Sequence, residues 1–152
     1  MSPRRSRSTD ETRLHSAGGV VVQRASGALR VAVMRSRYGT WVFPKGGVES
    51  GESVDEAASR EIAEEIGLGD LNLEGPLGST EHSFERNGRR YRKRVDWLLF
   101  EAPPGSEVRA NPEENALDCG WFSPEQALDL LSHSDQKRML RRALARVSQR
   151  SD

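Results

Sequence analysis

One cysteine among 152 residues leaves no internal disulfide, so the fold must rest on a packed core, which a chain of this length can bury without covalent staples. The neighbours of that residue, Cys119, suit a buried thiol rather than a nucleophile. No apolar run approaches the ~20 residues of a membrane span, and the first residues lack the apolar centre of a signal peptide. A soluble, intracellular, cytoplasmic protein with no membrane partner is expected. Aromatic residues make up only 6%, which leaves few candidates for a wall against a nucleobase. Net charge is zero, which excludes a uniformly charged polyelectrolyte.

The charges that are there are sharply segregated. Residues 52–65 hold six acidic residues and one basic, whereas residues 86–94 (RNGRRYRKR) hold six basic and no acidic one. A polyanion carrying a divalent cation would find complementary halves of a site in the two stretches. The opening MSPRRSRSTDETR is Ser- and Arg-rich with little apolar content and reads as a disordered basic tail over residues 1–13. Its four arginines stand among acidic and hydroxyl neighbours, too weak a patch for a nucleic-acid arm. A flexible tail is expected over 148–152, with one domain over 14–147.

Periodicity orders that domain. SAGGVVVQ and LRVAVMRS are β-branched runs separated by ASGA, which predicts a hairpin, and a strand follows near WVF. LNLEGPLGSTEHSF and RYRKRVDWLLFEA alternate as two further strands, joined through the turn signal Asn87-Gly88. The stretch APPGSEVRANPEENALD has loop composition; GWF is a last short strand. Ser123-Pro124-Glu125-Gln126 opens one or two amphipathic helices reaching residue 147. Strands, a helix, more strands and a terminal helix make an α+β domain with a mixed sheet.

The helix between the two strand groups carries the chemistry. Ser53 and Glu56 form a capping box and Gly67 a left-handed stop, so the helix spans about residues 54–66. Val54, Ala58, Ile62 and Ile66 form its apolar stripe. Glu61, Glu64 and Glu65 fall on one side, at spacings where like charges repel by roughly 0.2–0.5 kcal/mol per pair. Arg60 alone does not neutralise them, and an all-oxygen donor set calls for a hard cation, Mg²⁺ or Mn²⁺.

From Gly46 the string reads G-x5-E-x7-R-E-U-x-E-E-x-G-U, with U apolar, through Glu52, Arg60, Glu61, Ile62, Glu64, Glu65, Gly67 and Leu68. That is every position of the Nudix box. AGGVVV at 17–22, WVFPKGG at 41–47 and GWFSPEQA at 120–127 also stand where Nudix hydrolases place strands and the closing helix, so the resemblance covers most of residues 14–147. It implies an α/β/α sandwich with the mixed sheet between helices. It also implies a metal-dependent attack of water on phosphorus in a small-molecule phosphoanhydride, by a monomer or homodimer. Carried onto this chain, Glu61, Glu65 and the Gly46 carbonyl would hold metal, with Glu64 as ligand or base. Arg60 would orient the carboxylates and Glu52 would brace the loop. A further carboxylate often comes from outside the box; Glu114 is the candidate, Glu113 the next, and both also read as a solvated acidic loop.

Substrate choice lies outside the box. WVFPKGGVESGES resembles the matching stretch of diadenosine polyphosphate and diphosphoinositol polyphosphate hydrolases. Lys45 and Gly47 would then meet distal phosphates, with Arg37, Arg92 and Arg94 adding contacts. Alternation puts Arg92 and Arg94 on one strand face and Lys93 on the other. His82, Phe84 and Tyr91 are candidates for the wall against the base, although Phe84, like Trp97, reads first as core. Dinucleoside polyphosphate hydrolysis leads. Diphosphoinositol polyphosphates and nucleoside triphosphate sanitation are the alternatives. A purely nucleotide-binding module of this fold is disfavoured by the complete set of box carboxylates.

Overall fold

The computed structural model describes residues 11–150. Residues 1–10 and 151–152, which carry most of the expected tail, lie outside them. Seven strands form one mixed sheet: β1 (Glu11–Ala25), β2 (Ala28–Ser36), β3 (Trp41–Val42), β4 (Lys45–Gly47), β5 (Asn72–Arg86), β6 (Arg89–Ala102) and β7 (Ala116–Phe122). Three helices join them among the described residues: α1 (Val54–Ile66), α2 (Pro124–Leu130) and α3 (Ser134–Arg150).

Two tight turns set two of the sheet's antiparallel pairs, β1–β2 and β5–β6. Ser26-Gly27 (φ 52° and 79°) and Asn87-Gly88 (φ 54° and 76°) take left-handed conformations at both positions, the twist that two-residue hairpin loops require. They fix Ala25 opposite Ala28 and Arg86 opposite Arg89. The main spatial order is β3-β2-β1-β6-β5, with β4 also on β1 and β7 on β2. β1 and β6 run parallel from Glu11 opposite Arg90 to Gln23 opposite Ala102.

Each face of the sheet buries its own core. Val20, Val22, Val95, Trp97 and Leu99 meet Met139, Leu140 and Ala143 of α3 on one face. Ala17, Val21, Leu98 and Phe100 meet Ala58, Ile62 and Ile66 of α1 on the other. The result is the expected α/β/α sandwich. Burying each of the two isoleucines contributes roughly 1.5–3 kcal/mol. The close approach of α1 depends on Gly19, where a Cβ would stand 2.7 Å from Ile62 Cδ1.

Several boundaries differ from the sequence reading. Glu11–Arg13, expected in the tail, pair with Arg90–Arg92 at the start of β1. The helix α3 continues to Arg150, past the expected end at 147. Lys45–Gly47 form an unforeseen strand, because β1 offers them antiparallel partners at Ser16–Gly18. Trp97 is core as expected, but Phe84 is not: it lies near the turn of the β5–β6 hairpin and stacks on Tyr91, ring centroids 5.1 Å apart. Cys119 is half-buried against the α1 side of the sheet, and burial pushes its thiol up to about 11, away from nucleophilic use.

Candidate active site

The capping box forms as the sequence dictates: Ser53 Oγ accepts from Glu56 N at 3.1 Å, Glu56 Oε1 accepts from Ser53 N at 2.9 Å, and Gly67 closes the helix at φ 75°. The apolar stripe of α1 faces the sheet, so the glutamates are turned toward β4 and the loops beside it. Arg60 is the centre of the resulting network. Its Nε and Nη2 donate to the two oxygens of Glu52 at 2.7 and 3.0 Å, a bidentate clamp, while Nη2 also donates to Gly47 O at 2.9 Å. Its Nη1 reaches Glu61 at 3.0 Å and Glu64 at 3.3 Å. One guanidinium thus ties the catalytic loop to two helix carboxylates. The Arg60 hydrogen bond holds Glu52 below the usual carboxylate range.

Glu61 and Glu65 are in the opposite condition. Burial raises both, Glu65 to about 8, and neighbouring carboxylates add to it: Glu64 and Glu114 at Glu61, Glu61 and Glu114 at Glu65. Glu65 is 5% exposed, and its Oε1 accepts from Lys45 N at 3.1 Å. Gly46 lies directly against the Glu61 carboxyl, and any Cβ there would collide with it. The first box glycine is therefore required by the space the carboxylate occupies. Glu64 is the most exposed of the three helix carboxylates.

The loop expected to supply a further carboxylate is stapled to the end of α1. Arg109 N donates to Ile66 O at 2.9 Å, Asn111 N to Glu65 O at 3.0 Å and Asn111 Nδ2 to Glu64 O at 3.1 Å. Asn111 then caps a 3₁₀ turn, Pro112–Glu114, which presents Glu114 to Glu61 and Glu65. Glu113 is exposed on the same turn. Sequence reading missed Asn111; its signal was the Asn-Pro pair that opens the turn.

Among the described residues no three His, Cys, Asp or Glu side chains close around one point. The donor set nevertheless fits a hard divalent cation: all its ligating atoms are oxygens, and Glu65 is buried without a cationic side-chain bond. Glu61, Glu65 and Glu114 would hold such an ion, with Glu64 beside them.

A family model for the NUDIX domain matches residues 13–143. The chain belongs to the Nudix family. Enzymes of this family act on phosphoanhydrides and generally require divalent metal ions. Among curated relatives, this Nudix chain is 31% identical over 147 residues to a putative mutator protein MutT4 of Mycobacterium tuberculosis, covering 91% of the chain and 58% of that protein. It is 32% identical over 119 residues to an 8-oxo-(d)GTP phosphatase of Mycolicibacterium smegmatis, covering 78% of the chain and 34% of the relative. An RNA pyrophosphohydrolase of Caulobacter vibrioides is 37% identical over 86 residues, covering 57% of the chain and 37% of the relative. The chain thus spans about a third to just under 60% of these proteins. A C. elegans Ap4A hydrolase structure superposes with a TM-score of 0.75 at 22% identity, covering 90% of this chain and 98% of the other, a likeness of fold.

The substrate residues expected from the sequence divide between two places. The Lys45 side chain lies on the α3 face with His82 and Lys93, in a cleft of about 650 Å³ floored by Trp97 and Thr80 and edged by His133. Burial and the neighbouring Lys45 ammonium lower Lys93 to about 8. Arg92 and Arg94 stand on the opposite face, as alternation requires. Arg92 pairs with Glu81 at 3.1 Å and Glu11 at 3.4 Å; Arg94 pairs with Asp96 at 3.0 Å. The grouping of Lys45 with Arg92 and Arg94 is thereby corrected: the strand basic residue beside Lys45 is Lys93. Arg37 is held at the other rim, its N and Nε both 3.1 Å from Asn115 Oδ1, next to Glu114. Tyr91 continues the cleft outward through its stack on Phe84.

Proposed function

We propose that this Nudix pyrophosphohydrolase cleaves a phosphoanhydride bond in dinucleoside polyphosphates, with the distal phosphates lying along Lys45 and Lys93. The observation that carries this reading is the double role of Lys45. Its backbone N–H bonds Glu65 at 3.1 Å while its side chain enters the cleft, so the carboxylate cluster and a two-lysine channel share one residue. A chain of phosphates is the ligand that two adjacent ammonium groups favour.

A bound divalent cation would supply charge neutralisation and a lowered water pKa. Glu61, Glu65 and the Gly46 carbonyl would hold it with Glu114, and Glu64, the most exposed helix carboxylate, would take the proton of the attacking water. Arg60 keeps Glu61 and Glu64 in register through Nη1, and Glu52 fixes Arg60 in turn. His82 and Tyr91 flank the outer cleft, where a base would lie.

The purified protein should therefore hydrolyse a panel of dinucleoside polyphosphates in Mg²⁺ or Mn²⁺. Lys93→Ala should raise KM by about tenfold or more for five- and six-phosphate bridges and much less for a two-phosphate bridge, since a charged contact contributes roughly 1.5–3 kcal/mol. Arg92→Ala and Arg94→Ala, which remove only exposed ion pairs, should change KM by about twofold or less. Equal effects of Lys93→Ala on all bridges would favour the second reading, nucleoside triphosphate sanitation. The similarity to the 8-oxo-(d)GTP phosphatase of M. smegmatis over 78% of the chain is what supports that alternative.

A further inference from the structure

Of the 23 Lys and Arg residues in the chain only three are lysines: Lys45, Lys93 and Lys137. Two of the three stand side by side in the cleft. Binding phosphate gives no reason for that choice, because guanidinium binds phosphate bidentately and keeps its charge when half-buried. What a lysine adds is an amine that can shed its proton and act as a nucleophile.

The surroundings of Lys93 suit that use. It is held by β6, paired with Leu14 on one side and His82 on the other, and its side chain is half-buried on the sheet face that carries Val95 and Trp97. Burial, the adjacent Lys45 and Arg86 all act against its ammonium form. His82, His133 and Asp135 are the other titratable groups lining the cleft, and Asp135 is the one carboxylate among them. Lys45 faces Lys93 from β4, where its backbone is tied to Glu65. The opposite wall is fixed as well: Ser132 N donates to Trp41 O at 3.0 Å, Trp41 N to Ser132 Oγ at 2.9 Å and Phe43 N to Gln136 Oε1 at 2.8 Å. One cleft thus holds a nucleophilic amine, a cation to receive an anionic leaving group, and an apolar wall.

We propose that Lys93 is an acylation site whose donor is an acyl phosphate, bound with its phosphate on Lys45 and its acyl group against Val95 and Trp97. The neutral Nζ of Lys93 attacks the acyl carbon. The C–N bond forms, the C–O bond to phosphate breaks, and inorganic phosphate departs with the electron pair and with the proton shed by Nζ. The amide that remains carries no charge, so the cleft loses one of its two lysine cations. Acylation then weakens the binding of long phosphate bridges as Lys93→Ala does, a brake on hydrolysis set by the supply of acyl phosphate. That consequence rests on the reading of the cleft as the phosphate channel; the modification itself does not.

The probe is acetyl phosphate, with N-acetoxysuccinimide, an acetyl donor without a phosphate, for comparison. Metal-free protein is treated with each at pH 7, 8 and 9, and the three lysines are followed by peptide mass after cleavage at glutamate. Acetyl phosphate should modify Lys93 about tenfold or more faster than Lys137, since each unit by which an amine's pKa falls raises its neutral fraction roughly tenfold. The rate at Lys93 should rise up to about pH 8 and level above it. Tripolyphosphate should slow the reaction at Lys93 and leave Lys137 unchanged, and the preference for Lys93 should shrink with the donor that lacks a phosphate. After acetylation the KM for a five-phosphate bridge should rise by about tenfold, as expected when a charged contact is lost. Lys93→Arg keeps the charge without the amine, and its hydrolysis should be indifferent to the same treatment. Equal rates at Lys93 and Lys137, or the same preference with both donors, would overturn the acylation site while leaving polyphosphate hydrolysis standing. Treatment that slows wild type and Lys93→Arg alike would overturn Lys93 as the brake. Preferential acetylation of Lys93 in a protein that hydrolyses no polyphosphate would overturn the proposed reaction and keep the acylation site.

Discussion

Glu61→Gln and Glu65→Gln should each lose several orders of magnitude in turnover while the metal-free protein stays folded. Glutamine keeps the shape of glutamate, and its amide oxygen can still accept from Lys45 N at position 65. What it removes is negative charge from a cluster in which burial and neighbouring carboxylates already raise both Glu61 and Glu65. Folding gains from that removal, whereas cation binding loses a carboxylate. Steady-state hydrolysis in Mg²⁺, circular dichroism and thermal melts in chelator separate the two effects. Glu113→Gln, on the exposed side of the 3₁₀ turn, should behave as wild type. Turnover of either box variant within about tenfold of wild type would defeat the assignment, because a lost catalytic contact of that size is ordinary for positioning groups. Full activity in excess chelator would defeat it as well.

The chelated wild-type protein should also lose stability as pH rises from 5 to 8, and Glu65→Gln should lose much less, keeping only the contribution of Glu61. Glu65 titrates at about 8 in the folded protein against an ordinary value of 4.5. Between those values the folded state binds more protons than the unfolded state, so stability falls as pH rises, fully present below the lower value and spent above the upper one. At about 1.4 kcal/mol per pH unit, the complete loss is roughly 4–5 kcal/mol. Lys93 acts in the opposite sense. Its folded value near 8 lies below 10.5, so its contribution to stability grows only as pH rises above 8. Thermal melts in chelator at half-unit steps from pH 5 to 8 therefore exclude Lys93, and the difference between wild type and Glu65→Gln isolates Glu65. Adding Mg²⁺ should flatten the wild-type curve by favouring the ionised form. A wild-type curve already flat in chelator would show that Glu65 ionises without penalty.

Most of the carboxylate site was legible because its signals are local. The capping boxes at Ser53 and Ser123, the stop at Gly67 and the turn at Asn87-Gly88 each act within a few residues, and all formed as read. Helical spacing alone put Glu61, Glu64 and Glu65 on one side. The parallel pairing of β1 with β6 had no comparable signal: His15 lies opposite Arg94 with most of the chain between them. The substrate side failed for the same reason. Alternation correctly set Lys93 apart from Arg92 and Arg94, but only the packing of α3 over Trp97 decides which strand face becomes a cleft. Phe84 read as core because hydrophobicity alone does not tell a residue beside a hairpin turn from one beneath a helix. Gly46 was placed by the box spacing, and the reason for it appears only where Glu61 fills the space of a side chain.

The hydrogen bonds from Arg109 and Asn111 to the end of α1 have a consequence for local opening. Both amides belong to a segment with no regular structure, yet each donates to a carbonyl in the last turn of the helix. Breaking either bond means fraying that turn, which is sealed by Ile66 in the core. In a hydrogen-exchange experiment the two amides should be protected to the same degree as the C-terminal amides of α1, and far more than Glu107 in the same stretch. Asn111→Ala removes the bond to Glu64 O and should release the loop from that cooperative unit, so that it opens independently of the helix. The carboxylate cluster is then a single unit of folding, assembled from two segments more than 40 residues apart, and Glu114 reaches its partners only while that unit stays closed.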